Sequence, residues 1–270
     1  MEECIVLKIG GSVVTHKDVS THTVREDVLR SVFAQIALVK KQKPQMQIIL
    51  IHGAGGHIHH LAYMYNLRSG TGTDQNKIEG AQKTHEAVLR LHAEIMDIAT
   101  TCAFPLYSVP TDTVITQTDK KISHCTVAPI KTALQKGLIP VLYGDMVIDT
   151  TLGMSICSGD TLASCFAKEF PITKLLFSTD VDGIYTDDPH ITEAAELVEN
   201  VSLTRMEEIV LRGSHNTDTT DGLRGKVAAC EELFQHSITL SEIHIFNGFE
   251  KENYRKVLLG EDFTHTCIKK

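Results

Sequence analysis

Four glycine-containing segments of the 270-residue chain have the composition of phosphate-binding loops. They are LKIGGS at residues 7–12, IHGAGG at 51–56, and two Gly-Asp turns, YGD at 143–145 and SGD at 158–160. Glycine lets backbone N–H groups approach an anion closely, and a helix that begins there adds a favourable potential. Several such loops suit a ligand with several phosphates, or two ligands bound head to head. Taken singly, each loop is also explained by a tight strand-to-helix turn.

The first loop carries a lysine in an unusual place. LKIGGS matches neither GxxxxGK[ST] nor GxGxxG, and Lys8 lies inside the apolar run 5–9, before the glycines. Burying an ammonium without a partner is costly, so we interpret Lys8 as a group that projects over a phosphate held by the amides of Gly10 and Gly11. The alternative is an edge-strand lysine whose stem lies along the surface with its charge in water.

Four histidines surround the second loop, and a shared metal ion is one interpretation of them. They are His52, His57, His59 and His60. Their spacing does not place three of them on one helix face, and the loop contains no Cys or acidic residue that would complete a ligand set. We therefore do not expect a metal centre at this loop.

The hydrophobic pattern predicts the strands and helices that position these loops. Short apolar runs alternate with longer amphipathic segments, which predicts an α/β fold with a central sheet. The predicted strands are residues 4–9, 47–51, 138–143, 175–178 and 242–246, the predicted helices are 24–41, 78–100 and 222–236, and a hairpin is predicted at 145–156. Ligands of open α/β sheets gather at the carboxyl ends of the strands, where the glycine loops would meet.

Composition excludes several classes of protein. With 42% hydrophobic and 22% charged residues the chain is neither fibrous nor largely disordered. A formal charge of −8 and only 6% aromatic residues argue against nucleic acid as a partner. Seven scattered cysteines without CxxC spacing predict free thiols. The chain has neither an apolar run of about 18 residues nor a signal-like N-terminus, so we expect no membrane association and a cytoplasmic location.

Taken in order, the motifs resemble those of the amino acid kinase superfamily, and within it the isopentenyl phosphate kinases. The matching segments are LKIGGSVVTHK (7–17), HGAGGHIHHLA (52–62), GDMVIDTTLGMSICSGD (144–160), STDVDGIYTDDP (178–189), DTTDGLRGK (218–226) and residues 247–268. The resemblance implies a three-layer αβα sandwich with a central, mostly parallel sheet. It implies one domain over residues 1–270, with an acceptor lobe at about 1–170 and a nucleotide lobe at about 171–270.

The resemblance also implies roles for individual residues on the ATP side. Lys8 would neutralise the transferring γ-phosphoryl group, and Asp160 would orient the lysines. The residues expected to contact the nucleotide are Gly10, Gly11, Ser12, Lys17, Asp180, Asp182, Gly183, Tyr185 and Lys226. Mg²⁺ would accompany ATP, and the enzyme would be a homodimer.

On the acceptor side, the resemblance implies that Gly53, Ala54, Gly55 and Gly159 line the bound phosphate, with His59 donating a hydrogen bond to it. Phosphoryl transfer depends mostly on positioning and on cationic stabilisation of spreading negative charge. An acceptor that is already an ionised phosphate needs no general base. His59 therefore points to a phosphate or phosphonate acceptor rather than an amino acid. The resemblance implies that this acceptor is isopentenyl phosphate, converted to isopentenyl diphosphate in isoprenoid synthesis through the mevalonate pathway.

Several positions depart from the family pattern. His57, Ile58 and His60 stand where we expect an aromatic residue, a glycine and a proline, and Asp221 replaces a glycine. Ala54, at another frequent glycine position, keeps its amide but restricts φ. A β-branched residue tolerates positive φ poorly, so Ile58 predicts a changed loop shape if relatives use positive φ there.

Two other functions remain open from the sequence: a phosphonate kinase similar to fosfomycin kinases, and a non-catalytic regulatory protein with the kinase fold. Apolar side chains would favour a five-carbon chain over a small hydrophilic phosphonate. The candidates for lining such a pocket are Leu61, Met64, Val88, Leu91, Ile95 and Ile156, although a helical apolar stripe is more often core. His85 and His92, seven residues apart on one helix, could contact the same pocket.

Overall fold

The computed structural model describes residues 3–16, 23–186, 194–202, 233–235 and 237–270. Its strands are β1 (Cys4–Ile9), β2 (Gln47–His52), β3 (Leu106–Ser108), β4 (Ile115–Thr118), β5 (Lys121–Cys125), β6 (Ile139–Tyr143), β7 (Asp145–Asp149), β8 (Gly153–Cys157), β9 (Ile172–Thr179), β10 (Asn200–Ser202), β11 (Glu242–Asn247) and β12 (Thr266–Lys269). Eight strands form one sheet in the order β10-β12-β11-β9-β1-β2-β6-β3, and β5-β4-β7-β8 form a second, smaller sheet. In the large sheet only the β11–β12 pair is antiparallel.

Helices cover both faces of the large sheet. They are α1 (Gly11–Val14), α2 (Glu26–Gln42), α3 (Gly55–Met64), α4 (Gln75–Thr101), α5 (Thr111–Val114), α6 (Ala128–Gln135), α7 (Gly159–Glu169) and α8 (Asn253–Leu259), with a 3-10 turn at Leu67–Ser69. Apolar side chains of α2, α4 and α8 form one buried cluster with the sheet. Side chains of α6 and α7 form another on the opposite face. The predicted three-layer αβα sandwich is confirmed.

Strand β1 lies in the middle of the large sheet, between β2 and β9. Cys4 and Val6 point into the cluster under α7, while Ile5, Leu7 and Ile9 point into the cluster under α2. Both faces are covered, which explains why every residue of this strand except Lys8 is apolar. The interpretation of Lys8 as an edge-strand lysine is therefore wrong, because Lys8 is in register with Ile51 on one side and Phe177 on the other.

Most predicted elements are present with small shifts at their ends. Helix α4 begins at Gln75, three residues before the predicted start, because the Asp74 carboxylate accepts hydrogen bonds from the amides of Asn76 and Lys77. Strand β9 is longer than predicted at both ends. Most of the predicted helix at 222–236 lies outside the described residues.

The predicted hairpin at 145–156 corresponds to β7 and β8. The carboxylate of Asp149 closes its turn by accepting hydrogen bonds from the amides of Thr151 and Leu152. Among the described residues, no helix combines the length and the apolar character that crossing a membrane requires.

Candidate active site

The first two glycine loops lie against each other, backbone to backbone, at the carboxyl ends of β1 and β2. A Cβ atom on Gly53 would come 2.4 Å from the amide nitrogen of Gly11, and one on Gly11 would come 2.5 Å from that of Gly55. Such distances are far below van der Waals contact, so these positions accept only glycine. The close approach places both loops at one edge of the sheet, as the sequence predicted.

Not every amide of these loops faces outward. The Gly10 N–H donates to the carbonyl oxygen of Ser178 at 3.0 Å, and the Gly53 N–H donates to that of Ile9 at 2.8 Å. These two glycines therefore join the loops to the sheet and allow close packing. The Gly11 amide, at the start of α1, is one of the first N–H groups of a helix, which have no partner within the helix.

Lys8 leaves the end of β1 and reaches the first turn of α7. Its Nζ lies 2.6 Å from Oδ1 of Asp160, and the side chains of Lys8 and Asp160 are 18% and 67% exposed. Ser158 caps this helix by accepting a hydrogen bond from the Thr161 amide. Gly159 leaves room for the lysine, because a Cβ there would come 3.2 Å from Lys8 Cε. The structure thus brings Lys8 close to Gly159 and Asp160, which lie 151 and 152 positions after it in the chain.

Helix α3 carries His59 into the same region. The positive φ of this loop is at Gly55, at +78°, whereas Ala54 is right-handed with φ −84°. Ile58 lies within α3, is buried, and does not have positive φ. The substitution of Ile58 for glycine therefore introduces no backbone strain.

His59 and Lys8 are close enough to influence each other. His59 lies at the mouth of the cavity that both residues line. Partial desolvation of the ring, together with the positive charge of Lys8, lowers the pKa of His59. Near neutral pH the ring is therefore uncharged, and one of its nitrogens can donate a hydrogen bond to an anion.

The cavity has a volume of about 150 Å³ and is lined by both polar and apolar groups. Lys8, His59, Asp145, Asp160 and the glycine loops are among its polar groups. The apolar side chains that line the cavity are those of Ile58, Ala62, Val88, Met146 and Ile156. Its walls come from α3, α4 and the β7–β8 hairpin.

Only two of the six apolar residues predicted to line a pocket do so, Val88 and Ile156. Leu91 and Ile95 belong to the core between α4 and the sheet. Met64 is 61% exposed. Leu61 does not contribute to the wall of the described cavity either. The helical spacing cannot identify which turn of each helix faces the cavity, and that explains the four wrong assignments.

Asp145 is a cavity residue for which the sequence suggested no role. It is buried, and its Oδ2 lies 2.9 Å from Nδ1 of His85, which stands behind it. Burial raises the pKa of Asp145, and the hydrogen bond from His85 opposes that rise; the same bond raises the pKa of His85. The feature of the sequence that could have indicated Asp145 is the Gly144-Asp145 pair that follows β6.

His52 takes part in a separate, buried chain of side-chain hydrogen bonds. Its Nε2 lies 3.1 Å from Nδ1 of His92, and Nε2 of His92 lies 2.7 Å from the hydroxyl of Ser108. Burial lowers the pKa of His52 to about 3 and that of His92 to about 4, so both rings are neutral at pH 7. Neither His85 nor His92 lines the described cavity.

The loop after β9 lies next to the first glycine loop. Asp180 Oδ1 accepts a hydrogen bond from the Ser12 hydroxyl at 3.3 Å. Asp182 accepts hydrogen bonds from Tyr185 OH and Asn247 Nδ2. Gly183 packs against Thr266, since a Cβ there would come 2.3 Å from the threonine Oγ1. The predicted site residues Lys17 and Lys226, and the departure at Asp221, lie outside the described residues.

Residues 3–247 match the Amino acid kinase family, and the chain belongs to that family. The isopentenyl phosphate kinase of Methanothermobacter thermautotrophicus is 30% identical to it over 270 residues, with 98% of each chain covered. The isopentenyl phosphate kinase of Methanocaldococcus jannaschii is 28% identical over 95% of each chain. A crystal structure of an isopentenyl phosphate kinase has a TM-score of 0.82 at 27% identity and covers 99% of this chain and 100% of its own. The resemblance predicted from the motifs is confirmed.

Replacing Gly53 with alanine tests the close approach of the two loops. The added methyl group would overlap the backbone of Gly11, so we expect the Gly53→Ala substitution to lower the free energy of unfolding by about 1–3 kcal/mol. Urea denaturation followed by circular dichroism measures it. The Ala54→Gly substitution is the matched control, with a cost of about 0.5–1 kcal/mol at most because Ala54 has an ordinary helical φ. Unchanged stability of Gly53→Ala would contradict the loop packing.

Proposed function

We propose that this protein is an ATP-dependent isopentenyl phosphate kinase, which transfers the γ-phosphoryl group of ATP to isopentenyl phosphate and releases isopentenyl diphosphate and ADP. The observation that carries the proposal is a single cavity that is lined both by Lys8 and His59 and by apolar side chains. Relatives of that name, similar over nearly their whole length, support it.

The polar and the apolar lining residues of the cavity suit the phosphate and the hydrocarbon chain of the acceptor, respectively. We assign the acceptor phosphate to the amides of Ala54 and Gly55 and to His59, with Gly53 and Gly159 leaving space for it. The five-carbon chain would contact Ile58, Val88 and Met146. A small hydrophilic phosphonate would leave this apolar wall in contact with water, which disfavours a fosfomycin kinase.

We assign ATP to the side of β1 that faces β9. The amides of Gly11 and Ser12 would contact its phosphates, and the loop with Asp180, Asp182, Gly183 and Tyr185 would border the nucleotide. We retain the prediction that Lys17 and Lys226 approach the same phosphates. Residues 1–170 would then form the acceptor side and 171–270 the nucleotide side of one domain.

Mg²⁺ fits the oxygen donors of this side. Magnesium sites in phosphoryl-transfer enzymes use one or two carboxylates together with substrate phosphates, and Asp180, beside Ser12, offers such a carboxylate. When bound, the ion would neutralise charge on the phosphates of ATP.

Catalysis by the chain's own groups needs no general base, because the acceptor oxygen is already ionised. Lys8 would stabilise the negative charge that spreads over the transferring phosphoryl group. Asp160 holds the Lys8 ammonium at the end of β1 and is a positioning residue. His59 would donate a hydrogen bond to the acceptor phosphate and keep it in line.

We also propose that the enzyme is a cytoplasmic homodimer that serves isoprenoid precursor synthesis through the mevalonate route. The exposed side chains of Tyr63 and Met64, at 83% and 61%, support a dimer contact through α3 on the acceptor side.

An acceptor panel tests the proposed reaction. ADP release from ATP and Mg²⁺ is measured with isopentenyl phosphate, dimethylallyl phosphate, fosfomycin, UMP and N-acetylglutamate. We expect isopentenyl phosphate to give the highest kcat/KM. Preference for fosfomycin would make the protein a phosphonate kinase, and ATP binding without turnover of any acceptor would make it a regulatory protein.

Substitution of Lys8 tests the cationic role. Methionine keeps the length of the apolar stem and removes the charge, so Lys8→Met should lower kcat by about 100-fold or more and change KM for isopentenyl phosphate much less. Lys136→Met, at the exposed end of α6, is the control and should keep the wild-type rate. A Lys8→Met rate within a few-fold of wild type would exclude the role.

Substitution of His59 separates the two substrates. His59→Ala removes the hydrogen bond to the acceptor phosphate, and we expect KM for isopentenyl phosphate to rise about tenfold while the Kd of ATP stays the same. His60→Ala, on the adjacent exposed residue, is the matched control. If the affinities for ATP and acceptor fell together in His59→Ala, the assignment of this loop to the acceptor would be wrong.

A further inference from the structure

A second group of chemically reactive side chains lies on strands β11 and β12, away from the cavity. His244 and Cys267 are directly opposite each other in this antiparallel pair, and His265 immediately precedes β12. His244 and Cys267 are 8% and 4% exposed, and His265 is half-buried. None of the three has a role in the proposed reaction.

The three side chains converge. His244 Nδ1 lies 3.0 Å from His265 Nε2, and the two rings meet edge to edge, with centroids 5.1 Å apart and planes 22° apart. One ring nitrogen of each histidine and the sulfur of Cys267 all lie within 4.8 Å of one another. Two imidazoles and a thiolate are ligands that Zn²⁺ and similar ions prefer.

The remaining ring nitrogens show how the hydrogens are arranged. His244 Nε2 lies 3.2 Å from Glu242 Oε2, and His265 Nδ1 lies 2.9 Å from the carbonyl oxygen of Phe263. A carboxylate and a carbonyl accept hydrogen bonds, so both of these nitrogens carry the hydrogen. In two neutral rings, the nitrogens that face each other would then both present lone pairs, 3.0 Å apart.

Facing lone pairs repel unless a positive species lies between them. That species is either a metal ion or an additional proton. A proton would need only the two histidines, whereas a metal ion would also use the Cys267 sulfur, which lies within 4.8 Å of a ring nitrogen of each. Ligating histidines typically donate their other N–H to a carboxylate or a backbone carbonyl, as both histidines do here.

We propose that His244, His265 and Cys267 form a binding site for one soft divalent transition-metal ion of the Zn²⁺ class. Two nitrogens on a tetrahedral zinc ion are separated by about 3.4 Å, compared with 3.0 Å between the two imidazole nitrogens here, so ion binding would move them apart by a few tenths of an ångström. Both rings would also turn toward the ion, and the Cys267 sulfur would approach to about 3.6 Å from each nitrogen. Binding releases the thiol proton of Cys267 to solvent, and water would occupy the fourth position on the side of half-buried His265.

Such an ion would cross-link β11 to the segment that leads into β12. Thr266, between two of the ligands, accepts a hydrogen bond from the Ile184 amide at 2.8 Å and packs against Gly183. Metal binding would therefore stabilise both the last strand of the sheet and the loop after β9. The site itself does not depend on the proposed reaction, because its ligands lie outside the cavity.

Cobalt titration tests the site on the full-length, metal-free protein under reducing conditions. We expect one Co²⁺ per chain, visible absorption bands of a four-coordinate ion, a near-ultraviolet thiolate-to-cobalt band, and displacement of Co²⁺ by Zn²⁺. Cys267→Ser should abolish the thiolate band, and His265→Gln should weaken Co²⁺ binding at least about tenfold. Cys102→Ser and His124→Gln are the matched controls and should retain both signals.

Folding is monitored separately because Cys267 is buried. Zn²⁺ should raise the Tm of the wild-type protein and should not raise that of His265→Gln, whose substituted side chain is half-buried and tolerates the change. Absence of stoichiometric Co²⁺ binding would overturn the proposal and leave a proton between the histidines. A spectrum that survives in both variants but disappears in His59→Ala would also overturn it, because the ion would then bind at the glycine-loop histidines.

Discussion

The structure depends on placing one ammonium group at the end of the central strand of a covered sheet. Lys8 lies on β1, flanked by strands on both sides and by helices on both faces, where an unpaired charge is strongly disfavoured. The Asp160 carboxylate, in the first turn of α7, resolves this by pairing with Lys8 at 2.6 Å. Gly159 leaves room beside it, because a Cβ at this position would come 3.2 Å from Lys8 Cε and crowd the lysine stem. The hairpin before α7 thereby becomes a wall of the same cavity.

The two glycine loops are a second consequence of this geometry. With β1 and β2 adjacent and parallel, their loops emerge side by side, and only the absence of side chains at Gly11 and Gly53 allows the backbones to touch. Gly11, at the start of α1, lines the same cavity as Lys8. A ligand with a charged phosphate and an apolar tail fits such a cavity better than a wholly polar one, because each end meets groups of its own kind.

Much of this arrangement was predictable from local patterns. The apolar residues of β1, interrupted only by Lys8, and the helical periodicity of α2 and α4 predict these elements. Capping by Asp74 explains why α4 begins earlier than its apolar pattern. The ordered motifs predicted the family, and their residues Lys8, His59 and Asp160 do line one cavity. The predicted difficulty at Ile58 disappeared because the positive φ is at Gly55. The apolar wall was predicted poorly, with Leu91 and Ile95 in the core.

The sequence by itself determined the layered α/β class, the phosphate-binding character of the loops and the identity of the charged groups, because these follow from periodicity and residue chemistry over short distances. Only the tertiary structure decided that the strand of Lys8 is in the middle of the sheet rather than at its edge. It also decided that His85 forms a hydrogen bond with Asp145 and that His244 lies close to His265 and Cys267. These relations join residues far apart in the chain or on different strands. They depend on strand order, register and helix rotation, which a single sequence does not specify.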